Sequence, residues 1–92
     1  MPSLFKIGNY IVFFWSNENN EPIHVHITEG KPHSNATKIW LTKNGGCVLA
    51  NNESRLPATV LTKASEVISA HYFFICHAWK EHFNVTSIQF YC

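Results

Sequence analysis

The chain has 92 residues, 46% of them hydrophobic and 14% charged, and its seven basic and six acidic residues leave a formal charge of +1. This hydrophobic content excludes an intrinsically disordered chain, and the length provides for one domain with one core. The basic residues are scattered along the sequence, so charge alone does not indicate nucleic-acid binding. We therefore expect residues 1–92 to form a single domain.

A central strand is predicted near the start of the chain. Residues 10–15 are apolar at successive positions, which is typical of a strand that is covered on both faces. The dipeptide Gly8-Asn9 predicts a tight turn that pairs this strand with a short one over residues 4–7. Residues 16–22 are polar and contain turn formers, so we expect an exposed loop there.

The β pattern continues through three further segments. Residues 23–27 alternate three aliphatic side chains with His24 and His26, which places the aliphatics on the core face and both imidazoles on the opposite face. Residues 36–42 resume the pattern, and the Asn-Gly-Gly turn that follows predicts a hairpin returning through residues 47–50. About four strands in this order predict an antiparallel meander.

The apolar period changes to three or four residues from Pro57 onward, which predicts an amphipathic helix as far as Phe83. A continuous helix of this length would extend about 40 Å at 1.5 Å per residue, so we expect a bend near Ser69. Residues 85–91 predict one more short β segment. The predicted fold class is therefore α+β, with a small antiparallel meander packed against a C-terminal helix and a short terminal strand.

Several features predict a cytoplasmic protein that does not enter a membrane. The first six residues lack the basic and apolar regions of a signal peptide, and no apolar stretch reaches the roughly 18 to 20 residues that span a bilayer. The three cysteines, Cys47, Cys76 and Cys92, share no Cys-x-x-Cys spacing. This favours reduced thiols over a disulfide framework.

A pair of histidines is the first candidate for a functional site. Because His24 and His26 lie two apart on a predicted strand, they project from the same face with Cα atoms about 6.5 to 7 Å apart. A divalent transition metal such as zinc accepts two imidazole nitrogens, and Glu18, Glu29 or His33 can supply a third ligand. We take Glu18 with the two histidines as the candidate metal site. The alternative is that both histidines form the ordinary polar side of a half-buried strand.

Two chemistries without a transition metal are also open. His24 and His26 can act as a general base and a general acid, with Lys6 or Lys31 neutralising charge that develops on a phosphate. The oxygen-rich loop of residues 17–21 can offer ligands to magnesium, but only two of its five side chains are carboxylates, which favours a solvated turn. The residues leave open whether the protein is an enzyme.

Aromatic residues on the predicted helix indicate a contact with another chain. Tyr72, Phe73 and Phe74 widen the apolar surface of the helix beyond the stripe that includes Trp79. We expect Tyr72, Phe73 and Trp79 to contact a second copy of the chain or another protein, because aromatic side chains contribute strongly to interfaces. The alternative is that the sheet curls over all of them.

Three motifs of the chain resemble a bacterial family. They are Pro-x-His-Val-His at residues 22–26, Asn-Ala-Thr-Lys-Ile-Trp at residues 35–40 and Trp-x-x-x-Phe at residues 79–83. These motifs resemble the family called domain of unknown function 4160, and the resemblance extends from Met1-Pro2 to the end of the chain. Many members of that family have a second proline at the position of Ile23.

The resemblance implies a protein without an established activity. Similar proteins are often encoded beside another short gene of unknown function, which implies a small partner protein in a toxin–antitoxin-like pair. Our first hypothesis is a protein-interaction component of such a pair, whose partner is the adjacent gene product or a second copy of the chain. The alternative hypothesis is a small histidine- or metal-dependent hydrolase that acts on RNA or a phosphate ester.

Overall fold

The computed structural model describes residues 3–18 and 20–92 and confirms the α+β class. The strands are β1 (Ser3–Ile7), β2 (Tyr10–Phe13), β3 (His24–Glu29), β4 (Thr37–Leu41) and β5 (Cys47–Asn51), and the helices are α1 (Ala58–Ala70) and α2 (Tyr72–Phe83). Met1 and Pro2, which belong to the family resemblance, and Asn19 of the oxygen-rich loop lie outside the described residues.

The strands form one antiparallel meander in the order β1-β2-β3-β4-β5, one strand more than the predicted count of about four. The short hairpin of β1 and β2, predicted from Gly8-Asn9, is present, and Gly8 in its turn has a φ of +60° that favours glycine. Across β3 and β4, His24 pairs with Trp40, Val25 with Ile39 and His26 with Lys38. Each of these pairs therefore shares one face of the sheet.

The hydrophobic core lies between one face of the sheet and the two helices. The sheet contributes the aliphatic residues that alternate with the histidines, and the helices contribute one stripe of each amphipathic segment. The fully buried members include Val25, Ile27, Leu41, Ile68 and Ile75. Burying one such side chain contributes about 1.5 to 3 kcal/mol, so this layer determines how the helices lie on the sheet.

The predicted long helix is interrupted at His71, two residues beyond the expected bend. The backbone N–H of His71 donates to the carbonyl oxygens of Val67 and Ile68, and its ring stacks on Phe5 with centroids 4.7 Å apart. Because the helical region bends here, both helices fit within a domain whose longest extent is 35 Å. No helix in the described part of the chain is long and apolar enough to cross a membrane.

Residues 84–92 form an irregular segment in place of the predicted terminal strand. Asn84 ends α2 in the left-handed conformation, with a φ of 54°. The segment is then attached at two separate places, where Ile23 N–H donates to the Gln89 carbonyl and Lys43 N–H donates to the Cys92 carbonyl, both at 2.9 Å. Because Ile23 lies just before β3 and Lys43 lies beyond the end of β4, these two bonds do not form a regular ladder along one strand.

Candidate metal centre

The sheet face that carries the histidines is also buried. The side chains on this face of β2 and β3 include Phe13, His24 and Thr28, all 0% exposed, and His26, 7% exposed. The loop between β2 and β3 returns over this face and carries Glu18 to the histidines. The two imidazoles are therefore enclosed, whereas an ordinary half-buried strand leaves its polar side in water.

One carboxylate oxygen joins the two imidazoles. Oε1 of Glu18 lies 2.9 Å from Nε2 of His24 and 3.1 Å from Nε2 of His26, and it also accepts the backbone N–H of Trp15 at 3.3 Å. The nitrogen and oxygen donors of the three side chains all lie within 4.8 Å of one another. The structure thus brings together the predicted set of Glu18, His24 and His26.

The alternative third ligands lie elsewhere. Glu29 is exposed at the end of β3, and its position in the strand alternation places it on the face opposite to His24 and His26. His33 is exposed in the loop between β3 and β4. Sequence spacing allowed all three candidates, and the path of the β2–β3 loop selects Glu18.

A backbone carbonyl determines the tautomer of His24. Nδ1 of His24 lies 2.8 Å from the carbonyl oxygen of Pro22, which can only accept, so Nδ1 carries a proton. In the neutral ring, Nε2 therefore directs a lone pair toward Glu18. A lone pair facing a carboxylate is unfavourable unless a proton or a metal cation lies between them. Metal-binding histidines commonly donate their second ring N–H to a carbonyl in this way.

The charge states around Glu18 and His26 suit metal binding. Burial tends to raise the pKa of Glu18, but hydrogen bonds and charge interactions with His24 and His26 outweigh it and lower the pKa below its usual value. Burial is the main cause that lowers the pKa of His26, and the attraction of Glu18 offsets it only in part. At neutral pH the site therefore holds a carboxylate and a neutral His26 imidazole, the forms that coordinate a metal.

The donor distances can be compared with those of a zinc site. Zinc binds imidazole nitrogen and carboxylate oxygen at about 2.0 to 2.2 Å, so ligands at tetrahedral positions lie about 3.3 Å apart. Glu18 Oε1 is 2.9 and 3.1 Å from the two Nε2 atoms, within a few tenths of an ångström of that spacing, and all three donors lie within 4.8 Å of one another. The two Nε2 atoms therefore need to approach each other by at most about 1.5 Å. Two histidines and one glutamate are also the protein ligands of a class of catalytic zinc sites. The residues present fit this metal.

The predicted cation Lys6 is not brought to the site. Lys6 is exposed on β1 and pairs with Ile11, two strands away from β3, which corresponds to about 10 Å across the sheet. Lys31 is exposed in the β3–β4 loop. Neither residue has a described contact with the histidines.

Lys38 is the cation next to the histidine pair, and sequence reasoning missed it. It pairs with His26 across the sheet, and its Nζ lies 2.6 Å from Oε1 of Glu21 and 4.3 Å from the centre of the Trp40 ring. Lys38 was visible in the sequence as the residue two before Trp40 on a predicted strand. The register that sets it opposite His26 depends on the length of the intervening loop, which periodicity does not provide.

The three predicted interface residues have different environments. Tyr72 and Trp79 are 7% and 3% exposed and belong to the core, because the helical period places them on the same side as Ile75. Phe73 is 82% exposed, and the neighbouring Phe74 is 51% exposed. Of the three residues, Phe73 is the one that a partner can reach.

The fold and the site together define a small α+β domain with an enclosed cluster of two histidines and one glutamate. A family model described as Domain of unknown function (DUF4160) matches residues 9–80, which is most of the chain. The protein therefore belongs to this family, as its motifs predicted. The matched range includes Glu18, His24 and His26, and the family description carries no activity. No curated protein and no solved structure matches the chain.

Proposed function

We propose that the protein binds one divalent transition-metal ion, with zinc as the best fit, through Glu18, His24 and His26. The observation that carries this proposal is the convergence of both Nε2 atoms on one oxygen of Glu18, at 2.9 and 3.1 Å. The Pro22 carbonyl holds the proton of His24 on Nδ1, which leaves Nε2 free to bind a metal. The lowered pKa of Glu18 keeps its carboxylate negatively charged at neutral pH. The setting that we propose for this protein is the bacterial cytoplasm.

A bound metal would connect the β2–β3 loop to the sheet and leave one tetrahedral position for water. The side chains of His24, His26 and Glu18 are 0%, 9% and 17% exposed, so a water or a substrate atom approaches from the side of Glu18. When bound, zinc lowers the pKa of its water to about 7, which is the chemistry of hydrolysis. The reaction class that suits this donor set is hydrolysis. The substrate class that we propose is RNA or a phosphate ester.

Metal content tests the site directly. The tag-free protein is stripped with a chelator, reloaded with zinc, and compared with His24→Ala/His26→Ala and with a control, His33→Ala/His77→Ala, that removes two exposed histidines. Circular dichroism verifies folding in each case. We expect one zinc per chain in the wild type and the control, and affinity at least 100-fold lower in His24→Ala/His26→Ala. A folded wild type that takes up no metal contradicts the proposal.

A second candidate function is protein interaction within a toxin–antitoxin-like gene pair. It is supported by Phe73 and Phe74, adjacent aromatic side chains on α2 that are 82% and 51% exposed. Coexpression with the adjacent gene product tests it, with Phe73→Asp as the variant and Lys63→Asp on α1 as the control. We expect a complex that survives the control change and is lost in Phe73→Asp. A wild-type chain that stays monomeric and does not bind its neighbour contradicts this function.

A further inference from the structure

Two buried polar atoms of β3 have no hydrogen-bond partner in the described part of the chain. They are Nδ1 of His26 and Oγ1 of Thr28. Thr28 is 0% exposed and His26 is 7% exposed, so bulk water does not solvate either atom. Native proteins pair nearly all such groups, and those without a protein partner commonly bind an ordered water.

The two atoms lie on the same side of one strand. His26 and Thr28 are two residues apart in β3, so their side chains project from the same face with Cα atoms about 6.5 to 7 Å apart. Neither atom has a partner within hydrogen-bond distance, so they do not bond to each other directly. A water that makes two hydrogen bonds of about 2.8 Å can join polar atoms up to about 5.6 Å apart, so one water can serve both atoms where their side chains approach within that distance.

The group that faces Nδ1 of His26 has to form a hydrogen bond with this atom in both tautomers of the ring. Without a metal, Nε2 carries the proton and donates to Glu18 at 3.1 Å, so Nδ1 presents a lone pair and needs a donor. With a metal on Nε2, the proton moves to Nδ1, which then needs an acceptor. A water and a hydroxyl can each donate and accept, whereas a carbonyl or an N–H can do only one of these.

We infer that Thr28 is a positioning residue of this site, and that its hydroxyl holds a buried water against Nδ1 of His26. The water orients the imidazole and satisfies Nδ1 in both tautomers. The effect of Thr28 on metal affinity rests on the proposed function, whereas its effect on the His26 imidazole of the metal-free protein does not. A partner of this kind on the second nitrogen of a metal-binding histidine typically changes metal affinity by 10- to 100-fold.

The test compares Thr28→Val, which has the same shape without the hydroxyl, with Thr28→Ser, which keeps it. We expect zinc affinity to fall 10- to 100-fold in Thr28→Val and to stay within about 3-fold of the wild type in Thr28→Ser. The second readout is the ¹⁵N spectrum of the His26 ring in metal-free protein at one fixed pH. We expect the Nδ1 shift to change in Thr28→Val and to be restored in Thr28→Ser.

The outcomes separate this inference from the proposed function. Absence of zinc binding in the wild type overturns the proposed function, and the metal-free ¹⁵N spectra still decide the role of Thr28. Equal spectra in the wild type and a folded Thr28→Val overturn the inference. If Thr28→Val does not fold, a high-resolution crystal structure of the wild type decides, because the inference fails when no water joins Nδ1 of His26 to Oγ1 of Thr28.

Discussion

Glu18 precedes His26 by eight residues on a polar loop, yet its Oε1 lies 3.1 Å from Nε2 of His26 inside an enclosed site. The same oxygen lies 2.9 Å from His24, so one loop residue joins both imidazoles of β3. The loop has a second contact with the sheet, between Glu21 and Lys38. These two glutamates provide a matched pair for separating metal binding from loop attachment.

Glu18→Gln should weaken zinc binding at least 100-fold, because an amide is a poor ligand where the site needs a carboxylate. Glu21→Gln, the control, removes a carboxylate from the same loop and should change zinc affinity by less than about 3-fold. Chelator competition at pH 7.5 measures both values. Equal losses in the two variants would show that the loop contributes only by its attachment and that Glu18 is not a ligand.

Acid should destabilise the metal-free protein in two stages. The pKa of His26 is lowered below its usual 6.5, so the unfolded chain binds a proton that the folded chain rejects, and stability falls as the pH drops below about 6.5. The pKa of Glu18 is lowered below its usual 4.5, so the charged Glu18 stabilises the folded protein above that pH. This stabilisation is lost as the pH falls through the pKa of Glu18 in the folded protein.

Urea unfolding at pH values from 7.5 to 4.5 measures this dependence. His26→Gln should remove the first stage, whereas His77→Ala, which changes a histidine whose side chain is 74% exposed, should keep it. A free energy of unfolding that stays constant between pH 7 and pH 5 in the wild type would contradict the environment described for His26.

Ile75→Ala and Phe73→Ala test the orientation of α2. Ile75 is 0% exposed in the core, and removing such a side chain costs about 2 to 5 kcal/mol. Phe73 is 82% exposed, so its replacement should change the free energy of unfolding by less than about 0.5 kcal/mol. Urea unfolding of both variants gives the comparison. A larger loss for Phe73→Ala than for Ile75→Ala would mean that the helix presents a different face to the sheet.

Asn52→Ala should be much more destabilising than Asn51→Ala. Oδ1 of Asn52 accepts from Leu56 N–H at 2.9 Å and from the Thr37 hydroxyl at 2.7 Å, and its Nδ2 donates to the Leu56 carbonyl at 3.0 Å. Losing these partners should cost about 2 to 3 kcal/mol, because Thr37 is fully buried.

The side chain of Asn51 has one long hydrogen bond of 3.3 Å to Glu53 N–H, so Asn51→Ala should cost less than about 1 kcal/mol. Urea unfolding at pH 7.5 measures the difference. Equal costs would mean that the side chain of Asn52 does not hold the β5–α1 connection to β4.

The sequence by itself predicted the five strands and the helical region, with the face on which their residues lie, but it wrongly predicted a terminal strand over residues 85–91. The period of two in β3 places His24 and His26 on one face, and the period of three to four identifies the helical stripe through Ile75. These are local properties, because the geometry of one strand or one helix determines them. The same local reasoning assigned Tyr72 and Trp79 to an interface, since it cannot distinguish the apolar face that the sheet covers from the one that stays exposed.

Only the tertiary structure decided which distant residues meet. The path of the β2–β3 loop brings Glu18 to the histidines in place of Glu29 or His33, and the register of β3 with β4 brings Lys38 beside His26 in place of Lys6. Both outcomes depend on the packing of segments that are far apart in the chain, where loop path and strand register are selected by the whole core. For the same reason, the unpartnered atoms of His26 and Thr28 become visible only in the folded protein.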